Sequence, residues 1–194
     1  MAREKRAEES SEREVLDGER RRLYLFANVR QYPDPVLRTP ANEVTDFDEA
    51  LGALVRRMTR VMQAASGIGL AAPQLGVLQR VLVYQADEDA EPMALVNPRI
   101  VSTSEETDTI EEGCLSIDAA GVTVEVERPA RVTVEARSPR GEEVRIEAEG
   151  LEARVVQHES DHLDGVLILD RASAEQRRVA LGKLRPKPVL GSLA

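Results

Sequence analysis

The spacing of apolar residues along this chain changes period more than once. From Asp46 to Ala65, Leu51, Leu54, Val55, Met58, Val61 and Met62 recur at intervals of three and four. That pattern predicts a helix with a single apolar stripe, broken by Gly67. Two short apolar runs, Val81–Tyr84 and Ala94–Val96, predict strands. Further on the period falls to two: Val122/Val124/Val126, Val132/Val134/Ala136 and Val144/Ile146/Ala148 alternate with mostly charged or polar neighbours. Strands with one face buried and one in water read this way. Ser138-Pro139-Arg140-Gly141 forms the turn between the second and third. Leu151–Leu163 and Ala174–Leu184 are read as helices. The sequence thus predicts an α+β fold, with antiparallel or mixed β-sheet segments packed around a helix that arrives late in the chain.

Composition narrows this picture. A chain of 194 residues suits one domain with a tail, and with 3% aromatic residues and no Trp its core must be aliphatic. No run approaches 18 apolar residues, so no membrane-spanning helix is expected. The single cysteine, Cys114, excludes an intramolecular disulfide and with it a secreted, cross-linked scaffold. Residues 1–22 carry seven basic and seven acidic groups without an apolar core segment. They are expected to be a flexible extension rather than a secretory or transit signal. The main domain is expected over residues 23–172, entered through the irregular Tyr32-Pro33-Asp34-Pro35, and a C-terminal helix and basic tail over residues 173–194. The formal charge of −9 is uneven, with residues 171–194 carrying +5. An acidic body argues against broad or sequence-specific nucleic-acid binding. The basic end suits contact with an acidic partner, or a solvated helix end.

The candidate chemistry begins with the two histidines, which stand four apart in His158-Glu159-Ser160-Asp161-His162. On a helix they share one face and can share one metal ion, and Glu159 can take a proton from a water beside it. The bland alternative is a pair of surface histidines on a charged helix. Cys114, in Glu111-Glu112-Gly113-Cys114-Leu115-Ser116, is the candidate third ligand. A Cys/His/His set leaves the fourth position open, and its thiolate favours Fe, Zn, Co or Ni over Mg or Ca. Alternatively Cys114 is a buried small hydrophobe, or half of a Cys–His nucleophilic pair that leaves the second His and the Glu unused.

Gly67-Ile68-Gly69-Leu70-Ala71-Ala72-Pro73-Gln74 is a third feature. Its glycines allow close backbone approach, either as a tight helix-to-strand connection or as a strand that pairs with an extended peptide. Gln74 would then offer its amide to a developing oxyanion. The run reads poorly as a phosphate loop, because the helix precedes the glycines and Pro73 would interrupt a following one. Leu151 and Val155 lie seven and three residues before His158, on its helix face, where they would line an apolar pocket or simply fill core.

Taken together, the run from Gly67 to Gln74, the Glu112–Ser116 motif and Gln157–His162 resemble peptide deformylase, whose pattern is GxGxAAxQ, EGCLS and QHExDH in that order. Pro33–Arg38, Arg128-Pro129 and Asp161–Gly165 extend the likeness over roughly residues 29–172. The resemblance implies a cytoplasmic metal-dependent hydrolase that removes the N-formyl group from the initiator methionine of newly made polypeptides, releasing formate. It implies one divalent cation, Fe²⁺ in the cell and Zn²⁺, Ni²⁺ or Co²⁺ in preparations, held by Cys114, His158 and His162. Glu159 is then general base and general acid, Gln74 and the Leu115 N–H stabilise the oxyanion, and the Ile68–Gly69 backbone pairs with the extended substrate. Family membership also suggests a ribosome contact through Arg177, Arg178, Lys183, Arg185 and Lys187. The chain departs from the family at Asp118, where Pro is usual, and in a longer loop before Arg128. Two rivals remain: an HExxH zinc peptidase taking Asp164 or Asp170 as third ligand, and a non-catalytic metal-binding module.

Overall fold

The computed structural model describes residues 27–87, 89–117 and 121–184. The 1–22 extension, the Asp118–Ala120 stretch, and Arg185 and Lys187 lie outside the described residues. The main sheet has five antiparallel strands in the order β1 (Gly69–Ala71), β2 (Val81–Tyr84), β3 (Met93–Thr103), β6 (Arg131–Arg137) and β7 (Glu143–Glu149). A separate antiparallel pair is made of β4 (Thr107–Glu112) and β5 (Val124–Pro129). Helix α1 spans Glu49–Ala64, α2 Gly150–Leu163, α3 Ile168–Arg171 and α4 Ala174–Leu184. The α+β class read from the sequence is the class observed.

Both faces of β2 are covered, so it reads as a continuous apolar run rather than an alternating one. Val81 and Val83 join Met58, Val61 and Met62 of α1 in one core cluster, while Leu82 and Tyr84 join Ala153, Val156 and Leu163 of α2 in another. A third cluster joins Val124 and Val126 of β5 to Leu37, Ile168, Leu169 and Ala180. Helix α2 therefore has protein on nearly every side. Arg154, Gln157, Glu159, Asp161 and His162 are all buried along it.

Several boundaries differ from the sequence reading; β5, for one, begins at Val124 and leaves Val122 outside it. Helix α1 starts at Glu49 because the Asp48 carboxylate caps it, accepting from the Leu51 N–H at 3.0 Å. It ends at Ala64, and the chain turns away at Ser66 in the left-handed region (φ 54°), with Ser66 N–H donating to Gln63 C=O and Gly67 N–H to Met62 C=O. Gly67 is thus not the turning residue. Its lack of a side chain answers a different need, since a Cβ there would sit 2.8 Å from Leu115 Cδ1. Strand β3 runs seven residues past Val96, through an irregularity at Asn97-Pro98 where Asn97 has φ 52°. The turn-like dipeptide hides that continuation.

Leu82 is fully buried between β2 and α2. Leu82→Ala should lower unfolding free energy by about 2–5 kcal/mol, read by urea denaturation, while the exposed Arg57→Ala should stay within about 0.5 kcal/mol.

Candidate metal centre and cleft

Helix α2 brings His158 and His162 to one face one turn apart, their ring centroids 5.1 Å apart. Cys114 stands just beyond the end of β4, and its Sγ lies 3.3 Å from His162 Nε2. One ligand atom from each of Cys114, His158 and His162 can be chosen so that all lie within 4.8 Å of one another. Bonds of about 2.0–2.3 Å in a tetrahedral shell place ligand atoms roughly 3–4 Å apart, so a small contraction closes the set around one ion. The donor chemistry agrees. Burial pushes His158 down, yet hydrogen bonding to Cys114 and Glu112 and the negative charge of Glu159 and Cys114 raise it well above its ordinary value. The pocket favours a positive charge there. Burial, with the charges of His158 and Arg128, pushes His162 well down, so that imidazole is neutral as ligation requires.

The centre is held from behind by Glu112, the last residue of β4. Its Oε2 meets His158 Nδ1 at 2.9 Å, leaving Nε2 for the cavity. Arg128 of β5 grips both carboxylate oxygens, at 2.7 Å and 3.0 Å, and Arg154 of α2 reaches Oε1 at 2.7 Å. Burial alone would raise the Glu112 carboxyl, but the hydrogen bonds from His158 and Arg128 and the Arg128 charge hold it well below the usual carboxylate range. Arg128 continues to Asp161 at 2.9 Å, and Asp161 is also held by Arg171 at the end of α3. The sequence reading assigned no role to Glu112, Arg128, Arg154 or Asp161. A charged Arg154 four residues before His158, on a helix face facing the interior, was the available signal.

Glu159 is buried beside the cavity, with Oε2 free of partners among the described residues. Burial lifts its carboxyl to about 7 on the protein's own groups. A bound cation adds charge that pulls it down again. Gln74 is fixed in sense: its Oε1 accepts from the Ala71 N–H at 2.8 Å, so its Nε2 must face Ser116 Oγ, at 3.2 Å, and Cys114 Sγ, at 3.9 Å. Leu115 follows Cys114 in a turn closed by Ile117 N–H to Cys114 C=O at 2.9 Å.

These groups open into a cleft of about 470 Å³, whose lining includes Ile68, Gly69, Gln74, Leu115, Leu151 and Val155. Strand β1 forms the open edge of the main sheet along it. Ile68 C=O is taken by the Gln85 N–H at 2.9 Å, and in the alternation of an antiparallel ladder this leaves the Gly69 N–H and C=O facing the open edge. Ile68 and Leu151 present half-exposed side chains at the rim, whereas Val155 is buried at the floor. All ten residues singled out from the sequence are thus gathered at this one place. Asp164, the rival third ligand, is instead paired with Arg80, and Asp170 with Arg38.

An antiparallel α+β frame with a Cys/His/His ligand set and a strand-edge cleft defines a class of protein able to hold one metal ion beside an open sheet edge. The family model described as polypeptide deformylase matches residues 26–178. The peptide deformylase of Natranaerobius thermophilus is 50% identical over 144 residues, covering 74% of this chain and 90% of that protein. That of Thermotoga maritima is 47% identical over 156 residues, covering 80% and 93%. Among solved structures, a Synechococcus elongatus peptide deformylase in complex with actinonin superposes with TM-score 0.76 at 42% identity, covering 80% of this chain and 86% of that one. The Thermotoga maritima crystal structure gives 0.71 at 48% identity, covering 75% and 96%. The chain belongs to the polypeptide deformylase family.

A Cβ on Gly69 would lie 2.8 Å from Val155 Cγ1 and 2.9 Å from Glu159 Cδ. Gly69→Ala should therefore displace the Glu159 carboxylate in a crystal structure and cost about 1–3 kcal/mol in denaturant unfolding.

Proposed function

We propose that this chain is a metal-dependent hydrolase that removes the N-formyl group from the N-terminal formyl-methionine of newly synthesised polypeptides, releasing formate. The observation that carries this reading is the convergence of Cys114, His158 and His162, with Glu159 and Gln74 beside them, at the end of a cleft bounded by a free strand edge. Cys114, His158 and His162 would hold one divalent cation, Fe²⁺ in the cell, with Zn²⁺, Ni²⁺ or Co²⁺ able to replace it in preparations. When bound, that cation polarises the formyl oxygen and lowers the pKa of water.

The chain's own residues do the rest. The Gly69 backbone pairs with the extended peptide, and Val155 and Leu151, with the Ile68 side chain, give the methionine side chain an apolar lining. The Glu159 carboxylate accepts the proton of the attacking water at its unpartnered Oε2, then delivers it to the leaving amine. Gln74 Nε2 turns from Ser116 Oγ to the developing oxyanion, joined by the Leu115 N–H. Neither donor carries charge, so neither must be stripped of a counter-ion before it acts. The small formyl carbon fits between these donors and Glu159, where a bulkier acyl group meets the Gly69–Glu159 contact.

A cytoplasmic location is part of this reading, because nascent chains would be its substrates. Among the described residues no helix is long and apolar enough to cross a membrane. We further assign Arg177, Arg178 and Lys183 of α4 to a ribosome contact. Asp170 lies 3.6 Å from Arg177, and Glu175 pairs with Arg178, so this cationic segment is partly balanced locally. Arg178→Glu combined with Lys183→Glu should reduce cosedimentation with ribosomes at low salt, and unchanged cosedimentation would remove the assignment.

Glu159→Ala should reduce turnover of a formyl-Met peptide by about 10²–10⁴-fold while stoichiometric metal is retained. Cleavage of an unformylated peptide at a comparable rate by the unaltered chain would overturn the reading in favour of a peptidase. Glu112→Gln should weaken metal binding by about 10–100-fold, read by chelator competition. Metal analysis after oxygen-free purification identifies the cation.

A further inference from the structure

We propose that Ser116 is a positioning residue: its buried hydroxyl oxygen holds the Gln74 carboxamide off the Cys114 sulfur, so that the amide waits free for the oxyanion. The proposal rests on the reading of Gln74 as an oxyanion donor beside a Cys114 metal ligand.

Gln74 and Ser116 are both buried, so neither side chain can turn to water for a partner. The sense of the Gln74 amide is set by the Ala71 N–H, which donates to Oε1 at 2.8 Å. Two acceptors then compete for Nε2. Ser116 Oγ lies at 3.2 Å, at the long end of an ordinary N–H···O bond, and Cys114 Sγ at 3.9 Å, at the outer reach of an N–H···S contact. The resting structure gives the amide to the hydroxyl. Among the described residues Gln74 is the one hydrogen-bond partner of Ser116 Oγ.

The hydroxyl is held where it is by the backbone around it. The Ser116 Cα joins two peptide units, and each is fixed. The Leu115–Ser116 unit is held at the Leu115 C=O, which accepts from Gln31 Nε2 at 2.8 Å. The Ser116–Ile117 unit is held at both ends: its C=O accepts from the Tyr32 N–H at 2.8 Å, and its N–H donates to Cys114 C=O at 2.9 Å. With both units fixed, Oγ keeps only the rotation about its own Cα–Cβ bond.

The two acceptors differ in what they cost the reaction. Ser116 Oγ is neutral, so its bond to Nε2 yields readily once charge develops on the substrate oxygen. A ligand thiolate is anionic, and hydrogen bonds to charged groups are roughly twice as strong as neutral ones. An amide settled on the sulfur must break that stronger bond before it reaches the oxyanion. Until then it also draws electron density from the ligand. A side chain that only filled this space would need no oxygen, since Ala brings no polar group to satisfy.

The test uses full-length, Co²⁺-loaded protein with metal content checked for each variant. The thiolate-to-cobalt charge-transfer absorption reports electron density on the Cys114 sulfur. Ser116→Ala removes the oxygen alone. Its kcat on a formyl-Met peptide should fall about ten-fold with KM within about two-fold, because pairing of the peptide at Gly69 is untouched. The charge-transfer band should move to shorter wavelength as Nε2 swings onto the sulfur. Ser116→Thr restores the oxygen, and should recover most of the lost kcat and the band position. Neither effect should survive without the amide: Ser116→Ala combined with Gln74→Ala should match Gln74→Ala alone in band position and, within about two-fold, in kcat. The proposal is overturned if Ser116→Ala keeps kcat within about two-fold of the unaltered chain or leaves the band in place. It is also overturned if Ser116→Ala slows the Gln74→Ala chain by as large a factor as it slows the unaltered one. Failure of the unaltered chain to deformylate at all would sink the functional reading instead, and the band would still report whether Ser116 keeps the amide off the sulfur.

Discussion

A carboxylate with almost no contact with water organises this molecule. Glu112 cannot stay ionised in the interior unless cationic and polar donors surround it, and the fold supplies two guanidinium groups and an imidazole from two other elements. Arg128 joins it from the partner strand, Arg154 and His158 from α2. The β4–β5 pair and the helix are therefore locked to one another through a single buried charge. Removing one partner would leave the others uncompensated, which typically costs about 3–5 kcal/mol. The same bond that ties the layers together also selects which nitrogen of His158 faces the cavity.

Helix α2 shows why such a network is needed. A surface helix can send its polar residues into water, but α2 is packed on the main sheet and the β4–β5 pair, with Arg171 of α3 reaching its Asp161. Its polar side chains must find protein partners or be kept for chemistry. Arg154, Gln157 and Asp161 have partners. Glu159 Oε2, Ser160 Oγ and His162 Nδ1 do not, among the described residues. Of these residues Glu159 lines the cleft, so the helix sorts into groups that fasten it and one carboxylate oxygen left open beside the cleft.

This sorting marks what the sequence could and could not disclose. Cys114, His158, Glu159, His162 and Gln74 are legible because they sit in short motifs whose spacing has a chemical reason. The alternating strands β5, β6 and β7 are legible because one face of each is buried. Strand β4 escapes because nearly all its residues are exposed, so Thr107–Glu112 carries no apolar period. The grip of Arg128 and Arg154 on Glu112 escapes for another reason: it joins residues 16 and 42 positions apart, and nothing local signals such a pairing. The bond from Gln31 Nε2 to the Leu115 carbonyl is invisible in the same way, since it spans 84 positions. The departure at Asp118 lies outside the described residues, so its effect on the neighbouring turn belongs to the sequence alone.

The order in which the ligands are synthesised has its own consequence. Cys114 leaves the ribosome 48 residues ahead of His162. During that interval neither imidazole nor α2 is present to shield the sulfur, and the thiol is open to any passing oxidant. Oxygenation to sulfinic acid at that moment would leave a finished chain that folds around a spoiled ligand.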